Sequence, residues 1–178
     1  MWKEFRPALR FLFIFVGLYL AGNIIYGLWI ESFLELPDPA TKAVTVQTSA
    51  ILNRLGYTTT VQENTQGPTV FLSNEVKIVL NVFEGCNGIN VMIVFVAFLA
   101  AFGGSGKKLA WFLPGGIVLI HLSNLIRLIL LYVVAVGYQR YFYYVHKYIF
   151  TAAIYIMVFA LWIIWVKING RPKEAKAV

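Results

Sequence analysis

Three side chains with usable chemistry stand out from a largely apolar chain: Cys86, Arg127 and His146. Cys86 is the only cysteine, set in VFEGCNGINVMIVF (82–95), where a glycine-bracketed polar turn gives way to an uncharged apolar run. A thiol opening a helix meets free N–H groups and the positive end of the dipole, which favour a nucleophilic thiolate. Gly88, two residues on, allows close approach of another backbone or side chain. The plain alternative for Cys86 is a small apolar filler. Arg127 interrupts the apolar run 109–137. A charge inside a membrane span is costly, and such residues are functional by default. Ser123 and Asn124 precede it by about one turn on the same face, so the run carries a polar stripe rather than a stray charge. The alternative is a structural ion pair, with Glu84 as the available carboxylate. His146 lies among Tyr141, Tyr143, Tyr144 and Tyr148, where an interfacial histidine within an aromatic belt is the plain reading. His121 lies about 120° around the helix from Arg127 and reads as a packing or hydrogen-bonding residue.

The elements that must carry these residues follow from composition. Of 178 residues, 60% are hydrophobic and only 13% charged. A soluble domain of this size has no core large enough to hide that much apolar surface. The expected class is an all-α polytopic membrane protein with about four transmembrane helices. The spans are expected at 8–30, 85–106, 109–137 and 146–166, each near the ~20 residues a spanning helix needs. Asn23, Gly17, Gly22 and Gly27 mark a packing face on the first. One cysteine excludes an internal disulfide framework and a zinc site built on cysteines. No metal, nucleotide or flavin signature is present, so no cofactor or metal is expected. GGSGKK (103–108) lacks the spacing and preceding strand of a phosphate loop and reads as a flexible turn.

The net charge of +7 is distributed as membrane orientation requires, and no nucleic-acid partner is expected. Lys3, Arg6, Arg10, Lys107, Lys108, Lys167, Arg171, Lys173 and Lys176 all fall on one side of a four-span arrangement. Both termini, including the tail 167–178, are then cytoplasmic. The opposite side carries residues 31–84, expected as a small extracytoplasmic α+β insertion. Asp38-Pro39 is a helix start, Val44, Thr48, Ile51 and Leu55 recur at helical spacing, and Gly56 is a stop. The runs YTTTVQE, TVFLS and VKIVLNVF predict two or three antiparallel strands. A piece this small must pack on the membrane domain or the lipid surface.

Depth brings the three side chains together. Taken as helix, Cys86–Lys107 and His146–Lys167 are each ~32 Å, about one hydrocarbon thickness. Arg127 then lies ~20–27 Å above the inner end of its helix, in the outer half.

The pieces EGCNGIN around Cys86, SNLIRLILL around Arg127 and YVHKYIF around His146 carry a resemblance. Their order on consecutive helices, with Cys86-Asn87-Gly88-Ile89 and with Asn124 three residues before the arginine, resembles the exosortase/archaeosortase family of membrane-embedded cysteine transpeptidases. The length and the outer insertion are similar to the short exosortase-like proteins of Bacteroidetes. The likeness spans Val82 to Val166. It implies a catalytic Cys86, Arg127 and His146, supported by Asn124, Gly88 and Glu84. The implied activity cleaves and sorts the C-terminal anchors of exported proteins at the outer face of the cytoplasmic membrane. The implied partner is a sorting tail with one hydrophobic span, met within the lipid bilayer. Lys147 directly after the histidine departs from the pattern. The alternative is a non-catalytic assembly or scaffold subunit with a structural Cys/Arg/His network. A transporter using Arg127 as an anion site should show polar stripes on more than one span, and only 109–137 has one.

Overall fold

The computed structural model describes residues 2–34 and 36–169, so 170–178 of the expected tail lie outside the described residues. The element order is α1 (Trp2–Glu31), α2 (Pro39–Arg54), β1 (Thr60–Glu63), β2 (Thr69–Ser73), β3 (Ile78–Phe83), α3 (Ile89–Phe102), α4 (Gly106–Gly137), α5 (Phe142–Tyr144) and α6 (Phe150–Asn169). The chain is mostly helical with one small sheet, as its composition requires. Three helical stretches are long and apolar enough to cross a membrane: Phe5–Glu31, Gly106–Gly137 and the continuous run Gln139–Asn169. α3 is apolar but has only 14 residues. At ~1.5 Å per residue it is ~21 Å long, short of a hydrocarbon core of ~30 Å. Glycines with positive φ bound it, Gly88 at 85° and Gly103 at 73°. The depth argument that treated Cys86–Lys107 as one helix therefore does not hold. α4 runs unbroken through Pro114 for 32 residues.

The insertion behaves as its local signals predict at the ends and differently in the middle. Asp38 caps α2, its Oδ1 accepting from the N–H groups of Ala40 (2.9 Å) and Thr41 (3.0 Å), with Pro39 in the first turn. Gly56, φ 91°, follows the end of the helix. The buried face, however, is Thr41, Val44, Thr45, Thr48, Ser49 and Leu52, while Leu55 is exposed. Hydroxyls are buried here without loss because Thr45 and Thr48 donate to Thr41 and Val44 carbonyls of their own helix. The three strands form an antiparallel sheet in the order β1-β2-β3.

Two cores result. One joins the insertion to the membrane domain: Leu52, Leu72, Leu80 and Val82 pack with Leu125, Leu128, Leu131 and Tyr132 of α4. The insertion thus completes its core against α4. Cys86 belongs to the same cluster. The second core lies further along the helices, where Phe95 and Leu99 of α3 meet Phe112, Val158 and Trp165. Phe95 sits so close over Gly116 that a Cβ there would fall 2.2 Å from its Cζ. α1 leans on α3 at one glycine of the expected face: a Cβ on Gly22 would meet Ile93 at 2.7 Å, whereas Gly17 and Gly27 face open space and Asn23 donates to Tyr19 of its own helix.

The 103–105 turn is pinned. Ser105 N–H donates to Asn169 Oδ1 (3.2 Å), Trp165 Nε1 to the Gly103 carbonyl (3.1 Å) and Lys108 Nζ to the Ile168 carbonyl (2.7 Å). Arg6 and Arg10 line a groove of about 900 Å³ at this same end with Gly103 and Val166. Arg6, Arg10, Lys108 and Lys167 thus share one end of the helices, and the insertion packs toward the other.

Candidate active site

β3 leads straight into the site. It passes into a 3-10 turn, Glu84–Cys86, and Gly88 then caps α3 in the left-handed conformation. The turn is held from three directions. Asn87, 2% exposed, donates through Nδ2 to Tyr26 Oη of α1 (2.7 Å) and to Thr41 Oγ1 of α2 (3.2 Å), and its Oδ1 accepts from Ile89 N–H (3.0 Å). From α4, the buried Asn124 donates through Nδ2 to the Cys86 carbonyl at 2.7 Å. The Cys86 side chain is 4% exposed.

Arg127 lies about one turn beyond Asn124. Its Nη1 donates to Asn124 Oδ1 and its Nη2 to His146 Nε2, both at 3.5 Å. These are long contacts, at the limit of a hydrogen bond. Its Nε is buried with no partner. Arginine only donates, so this contact uses His146 Nε2 as the acceptor. His146 stands in a π-helical turn, Val145–Ile149, at the entry to α6. Such turns are rare and recur at functional sites. Phe142 stacks on the imidazole, ring centroids 5.8 Å apart and planes 2° off parallel. Cys86, His146 and Phe142 line one cavity of about 220 Å³, with Leu128 and Leu131 of α4 and residues 79–83 of β3.

Cys86, Asn124, Arg127 and His146, picked out from the sequence, therefore meet. Glu84 does not join them as an ion-pair partner. Among the described residues the ion pair is Lys42–Glu63 (2.8 Å), and no carboxylate lies within ion-pair distance of Arg127. Ser123 turns instead to Met157 Sδ (2.9 Å). His121 bonds Gln47 Oε1 of α2 (2.8 Å), the hydrogen-bonding part expected of it. Lys147 points away from the site, donating to Tyr143 Oη at 2.7 Å.

A cysteine, an arginine and a histidine in this order and proximity, on a chain with apolar helices long enough to span a membrane, narrow the choice of family, and a family profile decides it. The profile described as transmembrane exosortase matches residues 6–166. The chain belongs to the transmembrane exosortase family. The match is to the family as a whole and does not single out the short Bacteroidetes type. Neither a search of curated proteins nor one of solved structures found a match. This exosortase is a multi-pass membrane protein on its three long apolar helices.

Two positioning groups of the exosortase site escaped the sequence reading. Asn87 was read as part of the Cys86-Asn87-Gly88-Ile89 motif and given no role of its own, yet it ties α1, α2 and α3 together. Phe142 was not singled out. A signal existed for it: Phe142 and His146 are four apart, the spacing that stacks side chains on a helix.

Gly88 is explained twice over. Its φ of 85° suits glycine, and a Cβ would press on Asn124 Cγ at 3.3 Å. Gly88→Ala is expected to cost about 1–2 kcal/mol from the backbone alone. A lowered thermal midpoint of the purified protein in detergent would register it, and an unchanged midpoint would refute the account.

Proposed function

We propose that this exosortase is a cysteine transpeptidase or peptidase that cleaves the C-terminal anchors of exported proteins, with Cys86 as nucleophile, His146 as acid–base and Arg127 as oxyanion donor. The observation that carries the reading is the state of Arg127. A guanidinium with no carboxylate in ion-pair distance among the described residues, two long contacts and an unpartnered Nε stands beside a thiol and an imidazole. A permanent cation placed so is suited to a negative charge that exists only during a reaction.

The steps balance as follows. A substrate carbonyl draws Arg127 off His146, which frees Nε2. The imidazole takes the Cys86 proton, and the thiolate attacks the carbonyl carbon. The C=O electron pair moves to oxygen, where Arg127 donates to it. On collapse the C–N bond breaks, and the imidazolium proton passes to the leaving amine. The thioester on Cys86 is then attacked by an acceptor amine or by water, whose proton goes to His146. Cys86 leaves as thiolate and recovers that proton. Asn124 supports the step by holding the Cys86 carbonyl, and Gly88 by leaving room for Asn124.

Both termini are assigned to the cytoplasm and the site to the outer face of the cytoplasmic membrane, because the basic end of the helices retains its charges inside. A reporter fused after Val178 should therefore behave as internal; an exported reporter would reverse the orientation. The chemistry itself is tested by intact mass of the protein from cells that express it. An adduct on Cys86 that hydroxylamine removes is expected, as a thioester requires. Adduct-free protein from cells that actively process their anchors would reject the covalent mechanism.

A further inference from the structure

One wall of the cavity is a strand with an open edge. β3 pairs with β2 on one side: Val70 faces Val82, Phe71 faces Asn81 and Leu72 faces Leu80. On its other side it pairs with no strand among the described residues. Backbone bonds from residues 79–83 reach only β2 among the described residues. Residues 79–83 of this strand line the cavity together with Cys86, Phe142 and His146.

The backbone direction can be assigned. Thr69, which faces Phe83 across the ladder, gives its carbonyl to the Asn64 N–H (3.0 Å) on the β1 side, so the Thr69–Phe83 pair exchanges no ladder bonds and the Phe83 backbone groups point away from β2. Backbone groups alternate sides along an antiparallel strand. Asn81 therefore presents its N–H and C=O on the same open side as Phe83, while Leu80 and Val82 turn theirs toward β2. An unpaired edge of this kind is a template for another extended chain. The wall opposite is apolar, from Leu128, Leu131 and Phe142.

We infer that the edge of β3 is the substrate-docking strand: an extended, uncharged stretch of the substrate beside its scissile bond adds to β3 through backbone hydrogen bonds, which delivers the scissile carbonyl to Cys86. This mode takes affinity from main-chain bonds and specificity from alternate side-chain pockets. Its physical basis is continuity. β3 runs into the Glu84–Cys86 turn without a linker, so a chain aligned on Asn81 and Phe83 is aligned on the thiol. It also gives the insertion a task, since the sheet forms a wall of the site. The inference rests on the transpeptidase reading above.

The test begins by naming the substrate as the exported protein whose C-terminal anchor stays uncleaved in cells carrying Cys86→Ala. Asn81→Pro removes the outward N–H and no bond to β2; proline is tolerated at such edge positions. Processing should fall about ten-fold or more, as expected for loss of a backbone bond and its alignment. Iodoacetamide should label Cys86 at the unaltered rate, which shows the site intact. A photo-crosslinking residue placed at Asn81 in the Cys86→Ala protein should capture the uncleaved substrate, and one at Gln62 on β1 should not. The crosslink decides the matter even if Asn81→Pro fails to fold. Capture at Gln62 but not at Asn81, or at neither, overturns the docking strand. So does normal processing by Asn81→Pro. In those cases the Cys86→Ala defect still stands and the transpeptidase reading survives. If Cys86→Ala leaves every exported anchor cleaved, both fall together.

Discussion

Replacing Cys86 with alanine is expected to lower processing by about ten-thousand-fold or more while the protein still folds and reaches the membrane. The fold takes little from this side chain. What it requires of residue 86 is the carbonyl that accepts from Asn124 Nδ2 at 2.7 Å, and alanine keeps it. The turn is also held by Asn87, which the substitution does not touch. Removing one sulfur from the cluster of Leu80, Val82, Leu125 and Leu128 leaves a void no larger than a small group. The chemistry, by contrast, has no second nucleophile: Cys86 is the sole thiol of the chain. Processing should be followed as release of the C-terminal anchor, with membrane levels of the two proteins matched by blotting. A normal rate from the alanine protein would replace the enzyme by a scaffold whose Cys/Arg/His network is structural.

Arg127→Lys should be nearly as damaging, about a hundred-fold or more in rate at equal membrane level. Lysine keeps the positive charge but has no planar fork of donors. Arg127 reaches Asn124 Oδ1 through one Nη, His146 Nε2 through the other, and keeps Nε in reserve. A single ammonium cannot hold both neighbours and a developing oxyanion in fixed directions. A structural ion pair would accept lysine, but no carboxylate lies within ion-pair distance of this residue among the described residues. Comparing rates for Arg127→Lys and Cys86→Ala separates the two cases. Near-normal processing with lysine would reduce the role of position 127 to charge alone and remove the geometric argument for an oxyanion donor.

Much of this protein is written in short stretches of chain. The membrane class follows from apolar runs too long for a soluble core. The cap of α2 follows from Asp38-Pro39, its end from Gly56, and the strands from β-branched alternation between turn residues. Cys86, Arg127 and His146 could be picked out because reactive side chains are conspicuous against apolar sequence. All these signals act between near neighbours, so a sequence carries them whole.

Other features arise from contacts between residues far apart in the chain, and only the tertiary structure decided them. The run 85–106 reads as one continuous helix, whereas Gly88 and Gly103 bound α3 at Ile89–Phe102, and the turn before it places the thiol. The buried face of α2 is threonine-rich, which apolar periodicity cannot detect, because the hydroxyls are satisfied by the helix's own carbonyls. Glu84 was the available carboxylate for Arg127, yet the arginine's contacts are Asn124 and His146. β3 could be read as a strand, but not as the wall of a cavity facing His146. A strand's local pattern determines which residues alternate; which of its edges stays open, and what stands across from it, depends on how α4 and the entry to α6 pack around the sheet.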